Sequence, residues 1–182
     1  MGNFRPIPGV DIIGITGRAR SGKDELAKAI LRMVAGAERF AFSDAVAVVA
    51  RTAGMMGTRD AATLQRVGTQ MREIHPDIWC TALYGTIEDR RPDVAVVTGI
   101  RYENEHGMIR AMGGRLIGVR RPGAPALTDR DPSHPVEQGI DALVASADTV
   151  VEVDEMASPD ARDAYFDEVA RYLIRSWLRA TA

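Results

Sequence analysis

Residues 10–24, VDIIGITGRARSGKD, constrain the chain more than any other stretch. An apolar run containing Ile12, Ile13 and Ile15 ends at Gly17, four residues follow, and then come Gly22 and Lys23. This is G-x-x-x-x-G-K, the phosphate-binding loop that joins a buried strand to a helix. Glycines let the backbone approach an anion closely, so successive amide N–H groups can point at phosphate oxygens. Leu26, Ala29, Ile30, Met33 and Val34 recur at helical spacing directly afterwards, so a helix opens with its positive end toward the phosphates. Lys23 would neutralise the β and γ oxygens. Ser or Thr ordinarily follows this lysine and ligates Mg²⁺. Here the residue is Asp24, whose carboxylate can hold the metal directly or through a water.

The remaining chain alternates apolar runs with helical periodicities. Strands are expected at residues 10–16, 39–42, 93–98, 115–120 and 148–153, the second with Phe40 and Phe42 on one face. Helices are expected from the loop to about residue 35, over 45–55 behind a Ser43-Asp44 cap, and over 61–74, 78–89, 102–112 and 136–142. A last helix follows Ser158-Pro159 with a stripe of Tyr165, Val169, Tyr172 and Leu173. In the 61–74 helix, Leu64, Val67, Met71 and Ile74 should face inward. The order predicts one α/β domain over residues 1–182: a three-layer sandwich of about five parallel strands with helices on both faces. Right-handed crossovers put the strand at 10–16 near the middle. The consecutive helices of residues 57–91 read as an insertion over one sheet edge. Residues 122–135 hold four prolines, and a loop of that length suits a lid, set within a lid-like segment of about 121–140.

Composition narrows the class. The 182 residues carry 23 Lys and Arg against 25 Asp and Glu, a net charge of −2, which argues against a bulk nucleic-acid partner. No apolar run approaches membrane-spanning length, and the first residues lack the apolar core of a signal peptide. A single cysteine, Cys80, rules out an internal disulfide and suits a reducing cytoplasm. No His, Cys or carboxylate spacing matches a zinc site.

Ligands in open α/β sheets gather at the carboxyl ends of the strands. There the sequence places residues 17–24, Ser43-Asp44, residues 99–105 and Arg120-Arg121. Arg18, Arg20, Arg51, Arg66, Arg72, Arg101, Arg120 and Arg121 crowd the same region. Arginine forks suit phosphoryl transfer, which is mainly positioning and charge stabilisation. For Arg51 and Arg66, a solvated helix surface competes evenly with that reading. Trp79 serves either as a stacking platform for a base or as core.

Several stretches together resemble the bacteriophage deoxynucleoside monophosphate kinases, a branch of the P-loop nucleoside monophosphate kinases. They are GITGRARSGKD at 14–24, FSDAV at 42–46, LQRVGTQMREIHPDIW at 64–79, VVTGIRYENE at 96–105, GGRLIGVRRPG at 113–123 and HPVEQGID at 134–141. The resemblance implies ATP- and Mg²⁺-dependent phosphorylation of a deoxynucleoside 5′-monophosphate to the diphosphate, in the cytoplasm of an infected host, and leaves a homodimer open. Carried over to this chain, Gly17, Arg18, Ala19, Arg20, Ser21, Gly22, Lys23, Asp24 and Glu25 would hold the ATP phosphates, with Asp24 toward the metal. Lys23, Arg18, Arg20 and, from the lid, Arg121 would act on the transferring group. Ser43, Asp44, Gln65, Thr69, Arg72, Asp77 and Trp79 would surround the acceptor. Arg101, Asn104 and Glu105 would line the floor. Arg72 is expected to fork onto the acceptor's α-phosphate.

Two positions depart from the family pattern: Glu25 stands where Thr is common, and Gly99 where an Asp commonly anchors the metal. Other readings are a P-loop kinase for dephospho-coenzyme A or phosphomevalonate, and a nucleotide-binding regulatory module without turnover.

Overall fold

A computed structural model describes residues 3–55, 61–123, 135–154 and 158–178. Five strands form one parallel sheet. Strand β1 (Asp11–Gly17) lies at its centre between β3 (Val94–Ile100) and β4 (Arg115–Arg120), with β2 (Ala37–Ala41) and β5 (Thr149–Glu152) at the edges. The order is β2-β3-β1-β4-β5, with the phosphate-loop strand in the middle as the crossover rule requires. Helices α1 (Lys23–Met33) and α7 (Pro159–Trp177) pack together on one face. The other face carries α2 (Phe42–Thr52), α3 (Ala61–Ile74), α4 (Ile78–Arg90) and α5 (Glu103–Ala111), and α6 (Pro135–Ala145) lies against β1 and β4.

Strand periodicity divides the core. Successive side chains of a strand point to opposite faces. Ile12 therefore joins Phe40, Trp79, Ile87, Met108 and Ile109, whereas Ile13 and Ile15 join Leu26, Ile30 and Phe166. A central parallel strand covered on both sides is apolar at nearly every position, and Val94–Ile100 is buried at six of its seven.

The exception in β3 is Gly99. Ile15 pairs with Thr98 and the next residue, Thr16, pairs with Ile100, so Gly99 is the unpaired residue of a bulge with φ +75°. The Thr16 hydroxyl donates to the Ile100 carbonyl at 3.0 Å and fixes the register beyond it. The bulge carries β3 two residues past the expected end at Thr98. It also ends β2, whose last pairing is Ala41 with Thr98.

This shortening corrects two expectations. Phe42 does not continue β2 beside Phe40 but begins α2. Ser43 and Asp44 do not cap that helix, because its N-cap is Ala41 and no side chain accepts there. On α3, Val67 is buried and Leu64 and Met71 pack on the core, but Ile74, at the C-terminal end, is 78% exposed. The buried stripe of α7 is Phe166, Ala170 and Leu173, and Tyr172 is 66% exposed. Phe166 must lie under the phosphate loop, so the stripe is rotated from the expected one. The Ser158 hydroxyl does cap α7, accepting from the Ala161 amide at 3.1 Å. Residues 124–134, the bulk of the expected lid, lie outside the described residues.

Candidate functional site

The phosphate loop is built by sterics at two glycines. At Gly17 a Cβ would sit 2.5 Å from the Val119 carbonyl oxygen and 2.7 Å from Ser21 Oγ. Gly22 is the N-cap of α1, with φ +98°, and a Cβ there would meet the Phe166 ring at 2.5 Å. A side chain at either position would displace the loop, so both glycines are required by packing as well as by φ. Ser21 is 1% exposed, and its Oγ is buried without a hydrogen-bond partner. A buried hydroxyl left unsatisfied is costly, and at the mouth of a helix N-terminus it matches an anion. Arg20, exposed, holds φ +61° at the loop tip, an uncommon conformation for a non-glycine residue.

From this loop opens a cavity of about 600 Å³. It extends from the first turn of α1 across the carboxyl ends of β3 and β2 to α3, and residues 17–22 are not among its lining residues. Lys23 and Asp24 form one end, Ser43 and Val46 of α2 one side, and Leu64, Gln65, Gly68 and Arg72 of α3 the far wall. Thr98, Gly99, Arg101, Tyr102 and Glu105 form the floor. Helix α3 thus supplies the far wall of the cavity, and none of the lining residues comes from α4.

The floor is organised by a buried carboxylate. Glu105 is 1% exposed. Its Oε2 accepts from the Arg101 amide at 2.8 Å and the Tyr102 amide at 3.3 Å, and its Oε1 accepts from Arg72 at 2.5 Å. Burial pushes its carboxyl above the ordinary range, and the Arg72 guanidinium and the two amides pull it back. Arg72 is held on three sides: it also donates to the Gly68 carbonyl at 3.0 Å, and its guanidinium carbon lies 3.8 Å from the Tyr102 ring centroid. Its Nη1 and Nη2 thus each have a protein partner, its Nε is buried with no acceptor among the described residues, and the side chain lines the cavity as expected. Trp79 is 2% exposed and donates its indole N–H to the Gly68 carbonyl at 3.1 Å. It lies behind the wall, in the core, and offers no stacking face to the cavity.

The remaining expected residues divide. Lys23, Asp24, Ser43, Gln65, Arg72, Arg101 and Glu105 line the cavity, and Asp44, Thr69, Asp77 and Asn104 are not among its lining residues. Asn104 donates to the Pro76 carbonyl at 2.9 Å and to Asp77 at 3.0 Å, tying α5 to the α3–α4 turn. Arg18 is turned aside. Its Nε and Nη2 fork onto Asp141 of α6 at 2.8 Å each, rather than toward Lys23, and that guanidinium lowers the Asp141 carboxyl. Glu25 pairs with Lys28 at 2.9 Å along α1. Arg121 is half-buried just beyond β4 and lies outside the cavity lining. Arg66 is exposed, and Arg51 Nε donates to the carbonyl of Ala47 at 3.2 Å. Cys80 is a buried packing residue whose thiol burial pushes up to about 12, with Glu105 and Asp77 adding to the rise.

Sequence reasoning passed over Arg39, Lys28, Thr98 and Tyr102, all of which line the cavity. The signal for Arg39 was strand alternation. With Phe40 in the core, Arg39 and Ala41 must face the other way, toward α1.

Solved structures share this fold. Shikimate kinase from Acinetobacter baumannii, in complex with shikimate, superposes with a TM-score of 0.54 at 14% identity, covering 97% of this chain and 97% of that one. A putative kinase from Chloroflexus aurantiacus gives 0.53 at 15% identity, over 94% of this chain and all of that one. The fold is that of the P-loop kinases. By sequence, uncharacterized protein ORF76 of Ictalurid herpesvirus 1 is 27% identical over 172 residues, 88% of this chain and 71% of that protein. The deoxynucleoside-5′-monophosphate kinase of Escherichia phage T5 is 34% identical over 98 residues, half of this chain and 38% of the phage enzyme. No protein-family model matches the chain. Among the described residues, no helix of this P-loop kinase fold is long and apolar enough to cross a membrane.

Proposed function

We propose that the chain is an ATP-dependent kinase that transfers the γ-phosphate to a deoxynucleoside 5′-monophosphate. The observation that carries this reading is the single cavity joining Lys23 of the phosphate loop to Gln65, Gly68 and Arg72 of α3. A donor and an acceptor can lie there end to end, and the partial similarity to the phage T5 enzyme favours a nucleotide acceptor. The residues fit a triphosphate through the two glycines, the unsatisfied Ser21 Oγ and a lysine whose side chain is only 11% exposed. Phosphoryl transfer requires in-line positioning, charge stabilisation and exclusion of water rather than covalent chemistry. Lys23 would stabilise the developing charge, and the Glu105–Arg72 scaffold would hold the acceptor wall in place.

The decisive experiment is ADP release from ATP across the four deoxynucleoside monophosphates, their ribose counterparts, dephospho-coenzyme A and phosphomevalonate. We expect turnover with at least one deoxynucleoside monophosphate. Turnover only with another acceptor would move the chain to a different P-loop kinase. ATP binding without turnover on any acceptor would favour a regulatory module, the reading that Gly99 in place of a metal-anchoring carboxylate supports.

Mg²⁺ bound with the nucleotide would neutralise phosphate charge during transfer. Asp24 is the residue positioned to hold it, with a carboxylate 67% exposed at the cavity end and only a 3.4 Å contact to Lys23 Nζ. Asp24→Asn keeps an oxygen acceptor near the helix N-terminus and loses the charge. It should raise the Mg²⁺ needed for half-maximal rate, weaken Mg²⁺-dependent nucleotide binding measured calorimetrically, and leave thermal stability nearly unchanged. An unaltered Mg²⁺ dependence would reduce Asp24 to a favourable charge on the helix dipole. Restoring a carboxylate at position 99 meets no clash, since a Cβ there has nothing within 4 Å, but its φ of +75° costs a non-glycine residue about 1–2 kcal/mol.

A further inference from the structure

We infer that Arg39, on the edge strand β2, is the residue that recognises the phosphate of the acceptor. This rests on the acceptor reading above and adds to it the group that selects a phosphorylated molecule over its unphosphorylated form.

The first argument is elimination by commitment. Arg72, the arginine expected in this role, donates from Nη2 to Glu105 at 2.5 Å and from Nη1 to Gly68 at 3.0 Å and stacks on Tyr102, while its buried Nε has no acceptor among the described residues. Arg39 also lines the cavity, but among the described residues its contacts are long: Nη1 to Thr98 Oγ1 and Nη2 to Asp44 Oδ2, each at 3.4 Å. Contacts at that limit are weak, and the side chain is 41% exposed. Its fork can therefore turn to a bidentate phosphate partner with little lost, whereas Arg72 would have to abandon a buried ion pair.

The second argument is position. In the sheet β2 lies two strands from β1, about 10 Å at the usual strand spacing. Arg39 is thus displaced across the sheet from the loop after β1, and its contacts are to Thr98 of β3 and Asp44 of α2. It stands where an anion on a second ligand, between β3 and α2, would come. Lys28 of α1 also lines the cavity, paired with Glu25 at 2.9 Å.

Calorimetric titration of the full chain with deoxynucleoside monophosphates and with the matching deoxynucleosides tests the assignment. The parent should bind the monophosphate much more tightly than the nucleoside. Arg39→Gln should shrink that preference by about 10- to 100-fold, the range for a charge-assisted hydrogen-bonded pair, with ATP affinity and nucleoside affinity unchanged. Arg39→Lys, which keeps the charge and loses the fork, should fall between. Because Arg39 is on an exposed edge, both variants should melt close to the parent. A parent that prefers the monophosphate and a glutamine variant that keeps the full preference would overturn the role of Arg39 and leave the acceptor reading standing. Equal weakening for monophosphate, nucleoside and ATP would show a structural role and overturn it too. A parent that binds no deoxynucleoside monophosphate would remove the acceptor reading itself, and the Arg39 assignment with it.

Discussion

Lys23→Ala is expected to cut turnover by about 100- to 1,000-fold, the usual cost of removing one donor aimed at developing negative charge. The side chain is only 11% exposed and, among the described residues, its Nζ makes a single long contact, 3.4 Å to Asp24. An ammonium enclosed this far without a close partner gains most when a triphosphate arrives. Little of the fold depends on it, because α1 is anchored by Leu26, Ala27, Ala29 and Ile30 on its buried face. The variant should therefore melt near the parent temperature and lose rate rather than expression. Steady-state kinetics beside a thermal melt makes the comparison. A variant within a few-fold of parental turnover would mean that the loop does not carry the reacting phosphates.

Glu105→Ala should have the opposite signature, a large loss of stability. The carboxylate is 1% exposed and receives three hydrogen bonds, from Arg72 and the amides of Arg101 and Tyr102. Its removal leaves a partly buried guanidinium and two amides without their acceptor. Breaking a buried ion pair by deleting one partner costs about 3–5 kcal/mol. In a chain of this size that corresponds to a fall in Tm on the order of 10 °C. Glu105→Gln keeps both a hydrogen-bond acceptor and the side-chain volume and should recover part of the loss. Arg72→Met in the Glu105→Ala background should recover more, since it removes the stranded charge, and a double-mutant cycle would show strong coupling. Additive effects of the two single changes would mean that the pair does not hold the floor to the wall.

Some of this was legible in the residues themselves. A glycine loop between an apolar strand and a helix is a local pattern set by chain sterics, so residues 10–34 were readable directly. The five parallel strands and the central place of β1 followed from apolar periodicity and from the handedness of crossovers. Whichever way the sheet packs, those constraints act within a few residues or along a single connection. The gathering of Ser43 and Arg101 at one cavity was likewise expected, because strand order places their segments at the same end of the sheet, whereas Gln65 was expected there only from the family resemblance.

Tertiary structure decided what each charged side chain does there. Nothing local to Arg72 reveals that Glu105, thirty-three residues away, takes its fork, or that Asp141 takes the fork of Arg18. Such partnerships depend on which elements the fold brings within 3 Å, and a guanidinium follows the nearest carboxylate rather than its place in a motif. Trp79 went to the core for a similar reason: once α4 lay against the sheet, its indole had a carbonyl to bond and no solvent to face. The bulge at Gly99 is a third case. It arises from the pairing of β1 with β3, and by ending β2 early it turned Phe42 into a helix residue. Sequence thus determined the phosphate loop, the sheet and the end of the sheet where ligands bind. The pairing of charges across elements, a long-range competition for a few buried partners, was settled only when those elements packed.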